Sequence, residues 1–132
     1  MKYVYPAILS PNPDGSYTVI FPDLPGCVTE GDTLAESLLM AADAMAGWLY
    51  CAEKHGDTIS APSAMDNVTR APNELTTLVM ADTEAYRRTI ETLAVKKTLT
   101  IPSWMNARAE AANINFSQVL QEALRERIGV LA

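Results

Sequence analysis

The stretch Val95-Lys96-Lys97-Thr98-Leu99-Thr100-Ile101 limits what this chain can fold into more than any other. It has the alternation of a short β-strand. Val95, Leu99 and Ile101 fall on one face, and Lys96, Thr98 and Thr100 on the other. Lys97 breaks the apolar face near its start. Two helical patterns follow. Pro102 suits a first helical turn, with Met105, Ala109 and Ala112 as a narrow apolar stripe that runs out near Asn113. Asn115 then caps a second helix, with Gln118 as its reciprocal partner and Val119, Leu120, Ala123, Leu124 and Ile128 along its buried side. A β-α-α module spanning 95–132 is too small to bury a sufficient core, because chains below roughly 40 residues need a disulfide, a metal or a partner. Cysteine and metal-ligand spacing are absent from it. A lone strand also leaves its backbone donors and acceptors unpaired.

Both problems end if two copies pair their strands antiparallel and pack their helices together. The product is a two-stranded ribbon with Lys96, Thr98 and Thr100 of each copy outward. Such a ribbon fits the DNA major groove, where Lys donates to guanine and Thr reaches base edges or the thymine methyl. The Asn115-Phe116-Ser117 helix start offers backbone N–H groups and a positive dipole end to a DNA phosphate. The expected DNA-binding set is therefore Lys96, Thr98, Thr100, Asn115, Phe116 and Ser117, acting in a homodimer.

Charge separates the two parts of the chain. The net charge is −6. Residues 1–94 carry five Lys/Arg against thirteen Asp/Glu, whereas residues 95–132 carry five against three. The acidic part repels a phosphate backbone and attracts a basic protein; the basic part does the reverse. The 48% hydrophobic content is that of a folded protein. No signal-peptide pattern opens the chain, and no apolar run approaches the roughly 20 residues a bilayer needs. A cytoplasmic protein without a membrane partner is expected.

The acidic part reads β-β-β-α-β over 1–82. Lys2 to Leu9 is the first strand, with Pro6 arguing for an edge or a bulge. Asp14-Gly15 marks the turn into the second strand, Tyr17 to Phe21. A rigid Pro-Gly connection leads to a short third strand around Cys27 to Thr29. Thr33 and Glu36 make a capping-box pattern for a helix from Leu34 to about Lys54. Leu34, Leu38, Ala41, Met45, Trp48 and Leu49 are its expected core face. Residues 57–74 read as a surface loop and Leu75 to Ala81 as a fourth strand. Residues 83–94, short and charged, read as a linker with a helix-like turn around Glu84 to Leu93, which Asp82 or Thr83 could cap. Cys27 and Cys51 both read as small buried hydrophobes.

The motifs Pro13-Asp14-Gly15-Ser16-Tyr17, Phe21-Pro22-Asp23-Leu24-Pro25-Gly26-Cys27 and Thr29-Glu30-Gly31-Asp32-Thr33 resemble the HicB antitoxin family. Lys96 to Pro102 with Asn115 to Gln118 resembles a ribbon-helix-helix DNA-binding domain. The resemblance implies an α+β chain: a partial RNase H-like domain followed by the ribbon-helix-helix domain. It implies a type II toxin–antitoxin system, in which the chain inhibits a basic, mRNA-cleaving HicA-like toxin and binds the operator of its own operon. Ser37 departs from the residues that family members often carry after the Thr-Leu helix start. Asp23, Glu30 and Asp32, in or beside the rigid loop, are candidate toxin contacts. The dimer could double to a tetramer through the first module.

Two other classes compete. Nuclease chemistry needs carboxylates converging on Mg²⁺, but the predicted core strands carry no acidic residue. His55, the only histidine, follows a helix end. No catalytic residues, metal or cofactor are expected. A free-standing ribbon-helix-helix regulator with a small-ligand or protein sensor domain is the alternative, and the sequence leaves it open.

Overall fold

The computed structural model describes residues 1–130. It divides into two compact units, Met1–Leu93 and the residues from Ala94 onward. The chain is of the α+β class.

The first unit is a four-stranded antiparallel sheet with two helices. Strands β1 (Lys2–Pro11), β2 (Tyr17–Ile20) and β3 (Val28–Gly31) form a meander, and β4 (Leu75–Asp82) returns beside β1, giving the order β3-β2-β1-β4. The turn between β1 and β2 closes with Gly15 N–H donating to the Asn12 carbonyl at 3.0 Å. Gly15 has φ +88°, a left-handed conformation that glycine adopts without steric cost.

β1 is interior, against the expectation of an edge strand from Pro6. Its pairing with β2 begins only at Ile8, while its pairing with β4 runs from Lys2 to Leu9. Pro6 thus lies where β1 has one neighbour, opposite Leu78, and its missing N–H interrupts no ladder on the β2 side.

Helix α1 (Leu34–His55) covers one face of the sheet. Its N-terminus follows the capping pattern: Glu36 N–H donates to Thr33 Oγ1 at 3.1 Å. The Glu36 carboxylate reaches back to the Asp32 N–H at 3.3 Å, one residue before the cap itself. Gly56 ends the helix in the left-handed region at φ +69°. The buried stripe is Ser37, Ala41, Met45 and Leu49, at successive i+4 positions. Leu34 and Leu38, expected in the core, are 43% and 40% exposed. Ser37 takes the buried face instead, and a Cβ on Gly31 of β3 would stand 2.5 Å from its backbone nitrogen.

The helix-like turn expected around Glu84 to Leu93 is a helix, α2 (Thr83–Ile90), and the residues expected to act as a linker belong to the first unit. Asp82 caps it through Glu84 N–H at 3.0 Å. Buried Thr83 ties it to the chain start: its N–H donates to the Met1 carbonyl at 2.9 Å, and its hydroxyl lies 3.0 Å from Glu53 Oε2. Tyr3 donates to the same carboxylate oxygen at 2.6 Å. Two side chains of α2 pack on α1. Tyr86 meets Tyr50 edge to face at 5.5 Å, and the Arg87 guanidinium lies 5.3 Å from the Tyr50 ring centre.

The second unit contains α3 (Ser103–Ala111) and α4 (Phe116–Ile128). Pro102 stands at the N-cap of α3, just before its first turn. Asn113, at φ +55°, turns the chain between the helices. Asn115 caps α4 by accepting from Gln118 N–H at 3.0 Å, but the Gln118 side chain goes to Glu122 at 3.2 Å and makes no reciprocal bond. Residues 95–101 carry no strand assignment in the single chain. The expected strand needs a second copy: a β-strand exists through its ladder, and one copy supplies no second strand to this segment.

Candidate functional site

The Pro-Gly connection between β2 and β3 is a structural knot. Phe21, Leu24 and Cys27 are all buried. Leu24 N–H donates to Phe21 O at 3.1 Å, and Cys27 N–H to Leu24 O at 3.0 Å. Burial pushes the Cys27 thiol up to about 11. Gly26, at φ +81°, supplies the left-handed turn between them. Trp48 of α1, expected in the core, is only half-buried and donates its indole N–H to Pro25 O at 3.0 Å, pinning the loop to the helix.

Of the three acidic candidates, Asp23 is engaged within the chain. It accepts from the Ser63 N–H at 2.9 Å and from the Ser63 hydroxyl at 2.5 Å, and so anchors the 57–74 segment. Its charge also helps raise the Tyr5 phenol, after the larger effect of burial. Glu30 is exposed on edge strand β3, opposite Thr18. Asp32 is exposed just before the α1 cap. The fold brings Glu30 and Asp32 to one end of β3 and gives Asp23 a different task.

A groove that the sequence reading did not identify lies beside this loop. It is open, about 710 Å³, and floored by Ala44, Gly47 and Cys51 of α1. Trp48 and Tyr86 contribute aromatic surface, Pro25 to Val28 one rim, and Asp57 to Ser60 another. Tyr86 approaches α1 at Gly47: a Cβ there would stand 3.0 Å from the tyrosine oxygen. Asp43 and Asp57 are the charged residues of the lining, which contains no Lys, Arg or His. Cys51, expected to be buried, is exposed and lines the groove. The available signal was the run Ala41-Ala42-Asp43-Ala44-Met45-Ala46-Gly47, whose small residues permit a close approach on more than one helix side. Nothing local to α1 indicated that Tyr86 would return to it.

His55 Nδ1 lies 2.8 Å from the Cys51 carbonyl and stays near the helix end, where it makes a local contact. Among the described residues, no group of three or more His, Cys, Asp or Glu side chains could hold a metal ion. Also among them, no helix is long and apolar enough to cross a membrane.

In the second unit, Lys97, Leu99 and Ile101 line a cleft of about 490 Å³ with Asn106, Phe116, Ser117, Val119, Leu120 and Ala123. Lys96, Thr98 and Thr100 are exposed and do not line it. From Lys97 to Ile101, odd and even positions thus have different surroundings, while Val95 lies outside the cleft. Phe116 and Ser117 sit in the first turn of α4, directly after the Asn115 cap. No described residue of this unit is buried, and Leu99, Ile101, Phe116, Val119 and Leu124 are all at least 41% exposed.

A family model described as the HicB-like antitoxin of bacterial toxin–antitoxin systems matches residues 5–124, which includes most of both units. The chain belongs to the HicB-like antitoxin family. A HicB antitoxin of Photorhabdus laumondii is 51% identical over 41 residues, covering 31% of this chain and only 26% of that protein. A chain of a toxin–antitoxin complex from Streptococcus pneumoniae gives a structural match with TM-score 0.63 and 25% identity, covering 96% of this HicB-like chain and 99% of the other. The antitoxin HicB3 crystal structure matches with TM-score 0.51 and 26% identity over 98% of this chain and all of that one.

Proposed function

We propose that this chain neutralises a HicA-like, mRNA-cleaving toxin through residues 1–93 and represses its own operon through the residues from 94 onward, bound to operator DNA as a homodimer. The observation that carries the reading is the family match across residues 5–124, joined to a second unit in which no described residue is buried. A similar fold occurs in a complex described as HicA3 and HicB3 toxin–antitoxin, at TM-score 0.51, which supports a HicA-like partner. The acidic first unit suits a basic, RNA-binding toxin, since complementary charge steers encounter and a cover over the toxin's basic surface excludes RNA.

The second unit cannot hold its fold by burial within one copy. Pairing residues 95–101 of two copies antiparallel completes their backbone bonds and lets α3 and α4 of both copies close over the Leu99 and Ile101 faces. Lys96, Thr98 and Thr100 of each copy then face outward, toward the major groove. The first turn of α4, at Asn115, Phe116 and Ser117, sets its N–H groups against a phosphate. Together these features describe a ribbon-helix-helix dimer, and the first unit is a reduced RNase H-like domain in this reading. The protein works in the cytoplasm, beside its DNA and its toxin, and performs no catalysis of its own.

The test is co-purification with the small basic protein encoded beside its gene, followed by RNA cleavage with and without this chain. A stable complex that suppresses cleavage supports the antitoxin role. Unimpeded cleavage in the presence of excess chain sinks it. Lys96→Ala or Thr98→Ala should abolish specific operator binding in a gel-shift assay without releasing the toxin. Release of toxin by either change would overturn the division of labour.

A further inference from the structure

We propose that the groove between α1, the Pro-Gly loop and Tyr86 is the docking pocket for a Lys- or Arg-bearing segment of the basic toxin. This assignment rests on the antitoxin function proposed above and specifies where the partner binds. The lining decides the chemistry of the occupant. Asp43 and Asp57 are exposed carboxylates, and no basic side chain lines the groove. Phosphates, nucleotides and acidic peptides are therefore disfavoured, and a cation is attracted.

Trp48 and Tyr86 supply aromatic faces, which hold a guanidinium or ammonium group by cation–π attraction while packing its methylene stem. The same chemistry already operates nearby, where Arg87 and Lys54 lie 5.3 and 5.7 Å from the Tyr50 ring centre. The floor of Ala44, Gly47 and Cys51 leaves space for an incoming side chain, and about 710 Å³ accommodates several residues. The surrounding field has the right sign, since residues 1–93 hold thirteen acidic against five basic side chains. A concave site with aromatic walls and acidic ends is the kind that takes a buried anchor at a protein interface.

Cys51 provides a direct reporter, because it is exposed on the groove floor while Cys27 is buried. Alkylation of the full-length chain with N-ethylmaleimide, read at Cys51 by mass spectrometry, should be at least about tenfold slower in the purified toxin complex than in the free chain. Unchanged Cys51 labelling in an intact complex would overturn the groove assignment while leaving the antitoxin function standing. Asp43→Lys and Cys51→Arg, each checked for an unchanged melting temperature, should weaken toxin binding in calorimetry at least about tenfold. If these folded variants bind normally while Glu30→Lys or Asp32→Lys disrupts binding, the contact lies at the end of β3 and the inference fails. A wild-type chain that binds no neighbouring toxin would remove both the inference and the function beneath it.

Discussion

Gly31 and Ser37 pack so closely that the glycine has no room for a side chain. A Cβ built on Gly31 would stand 2.5 Å from the Ser37 backbone nitrogen and 2.7 Å from its Cα. The Ser37 hydroxyl, fully buried, donates to the Thr33 carbonyl at 2.7 Å. This junction fixes how β3 enters α1 and sets which α1 residues reach the core. Gly31→Ala must push backbone against backbone and should destabilise the first unit by about 2–3 kcal/mol. Ser37→Ala loses a hydroxyl that donates to the Thr33 carbonyl at 2.7 Å and to the Gly31 carbonyl at 3.3 Å, and should cost about 1 kcal/mol. Urea denaturation followed by far-ultraviolet circular dichroism separates the two. A Gly31→Ala variant as stable as wild type would refute the close-approach account.

The Tyr3–Glu53 bond predicts a loss of stability in alkali. Burial, reinforced by the hydrogen bond to Glu53 and its charge, pushes the Tyr3 phenol up to about 12 from an ordinary 10.0. The folded state therefore favours the neutral phenol. Its contribution is fully present below pH 10 and disappears as pH rises toward 12. Tyr3→Phe should flatten that part of the stability profile and cost about 1 kcal/mol at neutral pH. An alkaline limb identical in the variant would assign the effect to another group.

Acid should loosen two surface bonds. Hydrogen bonds from the Ser16 side chain and N–H hold the Asp14 carboxyl below its usual value of 3.8. The Ser10 hydroxyl does the same for Glu74, from 4.5. Both carboxylates stabilise the fold above their unfolded values, and that contribution is lost as pH falls through the lowered folded ones. Carboxyl carbon chemical shifts followed by titration should show both groups depressed. Ser10→Ala should return Glu74 toward 4.5, and a Glu74 unmoved by that change would deny the hydrogen bond its role.

Helix α2 should be part of the first unit's stability. Tyr86→Ala removes the ring that lies on Gly47 and meets Tyr50 at 5.5 Å, and should cost about 2 kcal/mol. Amide exchange along residues 83–90 should accelerate with it. Wild-type exchange there after the change would mean that α2 docks by some other contact.

The second unit should depend on association. Leu99→Asp puts a charge on the apolar side of the 95–101 segment and should yield a monomer in sedimentation at micromolar concentration, with operator binding lost. The wild-type affinity for operator should fall steeply with salt, because phosphate contacts release counterions. Persistence of the Leu99→Asp dimer would exclude the ribbon pairing.

The succession of strands along the chain and the span of α1 were legible in the sequence; the interior place of β1 was not. Alternating residues in β1 and β2, the Asp14-Gly15 turn, the Thr33–Glu36 cap and Gly56 each act over a few residues, so local chemistry determines them. The contrast between Lys96, Thr98 and Thr100 and the Leu99 side was equally local. Tertiary structure alone decided the rest. Leu34 and Leu38 match the helical period yet are exposed, while Ser37, close against Gly31, is buried. Asp23, free to meet a partner by its sequence position, is held by Ser63 forty residues away. Tyr86 returns to Gly47 across a long loop and a strand, and only that return makes the groove. Short-range periodicity and capping select elements; which faces are buried and where cavities open depend on contacts distant in sequence, which periodicity does not encode.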